Sequence, residues 1–192
     1  MDRQEAWQIL TEYTKNESLI KHALAVEAAM RHYARHFDQD EALWGAVGLI
    51  HDFDYERWPD PPEHTRRGAG ILRERGVDET IVTAMLSHAE WNRQEHPLDT
   101  PLRKTLSAVD ELCGFVTACA LVRPGRLEGL KAKSVRKKMK QPAFAAAVNR
   151  DDITRGAELL ELDLNEHIEH VIEAMREVAE PLGLTPDPSD TA

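Results

Sequence analysis

Six residues with metal-ligating side chains stand in the order His22, His51-Asp52, His64, His88 and Asp110. Neutral imidazoles and carboxylates together suit first-row divalent ions, so Mn, Fe, Co, Ni or Zn would each be accepted. Several of these residues lie in apolar runs: His22 in "SLIKHALAV", His51-Asp52 in "GLIHDFDY", His88 in "TIVTAMLSHA" and Asp110 in "TLSAVDELCGF". Burying a carboxylate is costly unless it is paired or bound to a cation, so Asp110, beside Val109, Leu112 and Cys113, needs a partner. Each residue alone has a plainer reading. A single histidine on an apolar face is most often a satisfied core residue, Asp110 alone can pair with an arginine, and His51-Asp52 alone can close a helix.

The elements that must bring the six together all read as helices. Residues 2–13 form a short amphipathic segment, and 18–37 places Leu19, Ala23, Val26 and Met30 at spacings of three and four. Residues 41–52, "EALWGAVGLIHD", contain Gly45, Ala46 and Gly48, which permit close helix approach. Three prolines make 59–64 a loop, and 64–75 reads as a helix stopped by Gly76. Asp78 is a natural N-cap for a helix through His88, and Pro101 opens a long helix to about Leu121. Beyond the Arg123-Pro124-Gly125 break, short helical pieces are expected near 126–131, 133–139 and 142–148, then helices over 151–161 and 165–182. No alternating pattern persists long enough for a sheet, so the expected class is all-α. The expected organisation is one helical domain over 1–184, with its metal-binding part at about 18–121, C-terminal helices at 126–182, and a flexible tail at 185–192. Histidines drawn from several helices are a usual way for a bundle to build a metal site.

The composition, 42% hydrophobic and 30% charged, is that of a globular protein. No apolar stretch approaches the roughly 18 residues of a spanning helix, and the polar start carries no secretory signal, so a cytoplasmic location and no membrane partner are expected. Cys113 and Cys119 lie in an apolar helical run and read as reduced packing residues. A net charge of −10 argues against stable nucleic-acid binding. Between Arg123 and Lys140, however, eight basic residues accompany one acid, a local +7 that leaves −17 elsewhere. Such an island either is a solvated helix face or gathers a phosphorylated ligand.

The ordered set resembles the HD superfamily of metal-dependent phosphohydrolases, whose signature is a helical histidine, an adjacent His-Asp pair at a helix end and a later helical aspartate. The resemblance covers about residues 18–121 and rests on His22, His51-Asp52 and Asp110, spaced 29 and 58 residues apart. It implies an HD-type helical bundle with a metal site between helices, holding one or two divalent transition-metal ions. By the same resemblance His22, His51, Asp52 and Asp110 hold one ion, and Asp52, the expected catalytic residue, bridges to a second held by His64 and His88. The chain departs from members that cleave cyclic dinucleotides: Ala89 follows His88, and no Gly-Tyr-Pro motif follows. Some nucleotidases of the superfamily carry a glutamate three positions after the His-Asp aspartate, where this chain has Tyr55. Asp54 and Glu56 are its nearby acids.

The chemistry implied is hydrolysis of a phosphate mono- or diester, a nucleotide among the candidates, by metal-activated hydroxide. Positive charge must then meet the phosphate oxygens. Arg66 and Arg67 are the local candidates, and Lys133, Arg136, Lys137 and Lys138 of the basic island are the conspicuous ones. The same ligands resemble a di-iron oxygenase branch of the superfamily, some of whose members use a lysine shortly after the His-Asp pair; "HDFDYERW" has none. A third reading is a non-catalytic nucleotide-binding or regulatory module. His32 and His36, at i, i+4, lack the intervening glutamate of zinc proteases, and His167 and His170, on an acidic helix, are expected at the surface. None of these four is expected in the site.

Overall fold

A computed structural model describes residues 1–186, and all of its regular structure is helical. The first helices are α1 (Arg3–Tyr13), α2 (Glu17–His36), α3 (Glu41–Ile50), α4 (Glu63–Glu74) and α5 (Glu79–His88). They are followed by α6 (Pro101–Leu121), α7 (Ala132–Met139), α8 (Arg150–Leu159), α9 (Leu164–Glu177) and the single turn α10 (Ala179–Leu182). Most starts are fixed by a side chain that accepts orphan N–H groups of the first turn, each cap worth about 1 kcal/mol. Asp2 and Glu5 form a reciprocal capping box on α1, while Asn16, Asp40, Asp78 and Thr100 cap α2, α3, α5 and α6. Cys113 and Cys119 are free and buried on α6. No helix among the described residues is long and apolar enough to cross a membrane.

The pairing of α2 with α3 is the centre of the bundle, and it depends on Gly48. A Cβ there would lie 2.9 Å from both the Met30 side chain and the Val26 carbonyl oxygen. The absence of a side chain lets the two backbones approach, which turns the end of α3 toward the start of α2. Around this pair the fully buried Val26, Met30, Tyr33, Val47, Leu49 and Ile50 form much of the core. The helix α6 crosses the bundle and packs on α2, α5, α8 and α9. Gly156 brings α8 against α6, since a Cβ there would meet the Ala108 backbone at 2.9 Å.

Several boundaries differ from the sequence expectation, each for a local reason. Regular helix in α3 stops at Ile50, so the His-Asp pair lies in the turn beyond it. The helical pieces expected over 126–131 and 142–148 are turns, broken by positive φ at Arg126, Gly129 and Ala145. Pro181 has no N–H and would clash with the carbonyl of Glu177, which separates α10 from α9. Of the expected tail, 187–192 lie outside the described residues.

Candidate metal centre

Five helices and the turn after α3 deliver the six candidate ligands. His22 lies one turn into α2, His51 caps the C-terminus of α3, and Asp52 follows it in the turn over 51–57. That turn is fastened to the α1–α2 junction: Thr14 Oγ1 donates to the Phe53 carbonyl at 3.0 Å, and Glu56 accepts the N–H groups of Lys15 and Asn16. His64 is carried by a kink at the head of α4, where its own backbone is extended and Thr65 has φ +65°. Positive φ in a buried β-branched residue is strained, at a cost of about 1–3 kcal/mol, and such strain gathers at functional positions. Thr65 is held there by two bonds, donating to the His64 carbonyl and accepting from Asn92 Nδ2 at 2.7 Å. His88 closes α5, and Asp110 lies midway along α6.

These residues converge as two groups that share Asp52. One is His22, His51, Asp52 and Asp110; the other is Asp52, His64 and His88, with potential ligand atoms in each group within 4.8 Å of one another. Asp110 Oδ1 lies 3.0 Å from His22 Nε2 and 3.4 Å from His51 Nε2. Asp52 divides its oxygens: Oδ2 faces His51 Nε2 at 3.6 Å, while Oδ1 faces His64 Nε2 at 3.2 Å and His88 Nε2 at 3.1 Å.

The tautomers follow from the outer ring nitrogens. His51 Nδ1 contacts the Gly48 carbonyl at 2.8 Å and His88 Nδ1 the Met85 carbonyl at 2.6 Å. A carbonyl can only accept, so both Nδ1 atoms carry the proton, and the Nε2 lone pairs of the neutral rings point inward. His64 Nδ1 donates in the same manner to Asp54 Oδ1 at 2.9 Å. Outer-shell bonds of this kind orient metal-binding imidazoles and raise their basicity. Among the described residues His51 Nε2 and Asp52 Oδ1 are buried and have no hydrogen-bond partner. Lone pairs therefore face lone pairs across the centre, an arrangement that a cation or added protons between them would relieve. The donor set and its orphaned atoms fit a divalent transition ion.

The HD domain family model matches residues 19–117, a span that contains all six residues and more than half of the chain. The chain belongs to the HD domain family. No solved structure matches it in a comparison of folds.

The electrostatics of the HD centre call for positive charge. Burial opposes protonation of His51 and His88, but Asp52 and Asp110 outweigh it and hold both imidazoles above their ordinary range. Burial likewise opposes the charge on His64, yet the adjoining carboxylates of Asp52 and Asp54 carry it up to about 9. Burial would raise Asp52 and Asp110; the surrounding histidines, His51 foremost, bring both carboxylates well below their usual range. The metal-free cluster thus gathers protons where ions would bind, and proton and metal compete for the same atoms.

The HD centre opens into a cavity of about 400 Å³ that also reaches Tyr55, Trp91, Glu111 and Asp152. Its cations are Arg93 and Arg155. Arg93 is anchored by donation to the His88 carbonyl at 2.9 Å and to Ser107 Oγ at 3.1 Å, and Arg155 pairs with Asp152. Neither was evident from sequence, because both arrive by packing: Arg93 folds back over α5, and Arg155 is carried in by the Gly156 contact with α6.

The basic residues expected from sequence lie elsewhere. Arg66 is turned to Asn92 and Glu95, Arg67 pairs with Glu63, and neither lines the cavity. Lys133, Arg136, Lys137 and Lys138 sit on α7, which buries Ala132 and Val135 and turns its charges outward. Lys137 and Lys138 line a different cavity, with Arg123 and Cys119. The basic island is therefore mainly a solvated face. The two nearby acids also part ways: Asp54 is buried against His64, whereas Glu56 is an exposed anchor of the α1–α2 junction.

Proposed function

We propose that this HD domain protein is a metal-dependent hydrolase of small phosphate mono- or diesters, nucleotides among them, with His22, His51, Asp52, His64, His88 and Asp110 as ligands. The observation that carries the reading is the position of Asp52. Its two oxygens face separate ligand groups beneath a cavity walled by Arg93 and Arg155. Bound there, divalent ions supply Lewis acidity and lower the pKa of coordinated water to about 7.

The protein's own groups do the remainder. His51, His64 and His88 hold their Nε2 lone pairs toward the centre through the fixed Nδ1 donors, and Asp52 ties the two ligand groups together. Arg93 and Arg155 meet the non-bridging phosphate oxygens with guanidinium donors, which suit planar anionic groups better than a point charge does. Trp91 and Tyr55, both partly exposed at the cavity, flank the remainder of the substrate.

Elemental analysis of the purified protein, together with a panel of phosphatase and phosphodiesterase substrates, tests the proposal. Asp52→Ala is expected to lose turnover together with the metal held by the six ligands, and a variant that stays active without that metal would refute it. Assay without oxygen separates this reading from oxygenase chemistry on the same ligands, since hydrolysis continues and oxygenation stops.

A further inference from the structure

A second histidine cluster joins α2 to α9, away from the HD centre. His32 lies ten residues beyond His22 on α2, about 15 Å along the helix axis. Its Nε2 is 2.9 Å from His170 Nδ1 on α9. The rings of His36 and His170 are 4.8 Å apart between centroids, and those of His32 and His170 are 5.1 Å apart. Potential ligand atoms of His32, His170 and Glu173 lie within 4.8 Å of one another.

Three features separate this cluster from an ordinary surface arrangement. The two nitrogens at 2.9 Å need a shared proton, the position a metal ion would take. Among the described residues His170 Nε2 is buried without a hydrogen-bond partner, and the nearby carboxylate of Glu166, 3.9 Å away, is beyond hydrogen-bond distance but would need to move only about 1 Å to accept from a metal-bound imidazole. The nearby cation Arg35 is already held by Glu41 and Glu177, at 3.0 and 2.9 Å, so it does not neutralise Glu173. Burial favours the neutral, ligating form of both His32 and His170.

We propose that His32, His170 and Glu173 form a second metal site for a zinc-class divalent ion, with the fourth position left to water. A tetrahedral ion with bonds near 2.0 Å sets its donors roughly 3.3 Å apart. His32 and His170 therefore need to separate by only a few tenths of an ångström, while Glu173, exposed and flexible, closes from the solvent side. The ion would tie α9 to the HD core, so its role is structural and independent of the reaction at Asp52.

The test is zinc binding by the full chain, measured by equilibrium dialysis with elemental analysis and by competition with a chromophoric chelator. The expected result is one equivalent fewer for His170→Ala than for wild type, while Asp52→Asn still binds that equivalent. Glu173→Gln changes an exposed side chain and leaves the helix packing intact; it is expected to weaken the same equivalent by about tenfold or more. Unchanged zinc stoichiometry and affinity in Glu173→Gln and in folded His170→Ala would overturn the site. If His170→Ala does not fold, Glu173→Gln alone decides.

Discussion

The imidazole of His64 donates through Nδ1 to Oδ1 of Asp54 at 2.9 Å, and Asp54 is wholly buried. The other oxygen of Asp54 accepts the backbone N–H of Gly68 at 2.8 Å. One carboxylate therefore fixes both the ring that faces Asp52 and the first regular turn of α4. This explains how a residue in a strained kink can be aimed reproducibly.

Replacing Asp54 with asparagine should break this arrangement. Both of its present neighbours donate, and an amide offers only one acceptor oxygen, so its NH2 must oppose either His64 or Gly68. Affinity for an ion at the Asp52–His64–His88 group is expected to fall about 10–100-fold. Binding at His22, His51 and Asp110 should change far less. Metal titration of the variant checks this, and equal loss at both groups would contradict it.

Gly68→Ala gives a prediction whose sign opposes helix propensity. Alanine in a helix interior is ordinarily favoured over glycine by about 1 kcal/mol. Here the new Cβ would stand 2.8 Å from Asp54 Oδ2 and 3.0 Å from Met85 Cε. It must displace the carboxylate that orients His64. Thermal unfolding should show a lower midpoint despite the better helix former, accompanied by weaker metal binding. A higher midpoint would mean that the Asp54 contact yields easily.

His167 predicts an acid-sensitive fold. It is fully buried on α9: Nε2 donates to the Ala108 carbonyl at 3.1 Å, leaving Nδ1 to accept from the Tyr33 hydroxyl at 2.6 Å. Burial, the largest influence, pushes its pKa down to about 4 despite the Ala108 bond. An unfolded histidine titrates near 6.5, so between these values the unfolded chain binds the extra proton. The stability contributed is intact above about pH 6.5 and is lost as pH falls toward 4. Between pH 7.5 and 5 this group should cost about 2 kcal/mol. His167→Gln retains a donor and an acceptor without titrating. Urea unfolding at the two pH values should therefore show a smaller acid loss in the variant, by about that amount; identical losses would exclude His167 as the source.

The legibility of this chain in its sequence followed the range of the interactions involved. Helix starts at Asp78 and Pro101 were readable because a cap or an opening proline and the first turn it serves are neighbours in sequence. The all-α class and the order His22, His51-Asp52, Asp110 were readable for a similar reason, being patterns of spacing. The kink at His64–Thr65 was not, since it depends on Asn92 reaching back 27 positions. His167 looked exposed on an acidic helix because its partner Tyr33 is 134 residues away. The basic run on α7 attracted attention by local charge density, whereas the cavity's cations, Arg93 and Arg155, are isolated in sequence and meet only through the packing of α5, α6 and α8.

Arg155 offers the most selective test of how that cavity treats an anion. It is half exposed, pairs with Asp152 on its own helix, and contacts none of the six candidate ligands by hydrogen bond. Arg155→Gln should consequently leave metal content and folding unchanged. A guanidinium–phosphate bond is worth about 1.5–3 kcal/mol, so losing one should weaken inhibition by inorganic phosphate by about tenfold or more. The partly exposed position makes the wild-type effect sensitive to ionic strength, and the difference between wild type and variant should shrink as salt rises. Lys137→Gln serves as the control, because it removes equal charge from a cavity separate from the HD centre. If phosphate inhibition responds to Lys137→Gln and not to Arg155→Gln, the anion is held by the basic island on α7 rather than by the wall of the HD cavity.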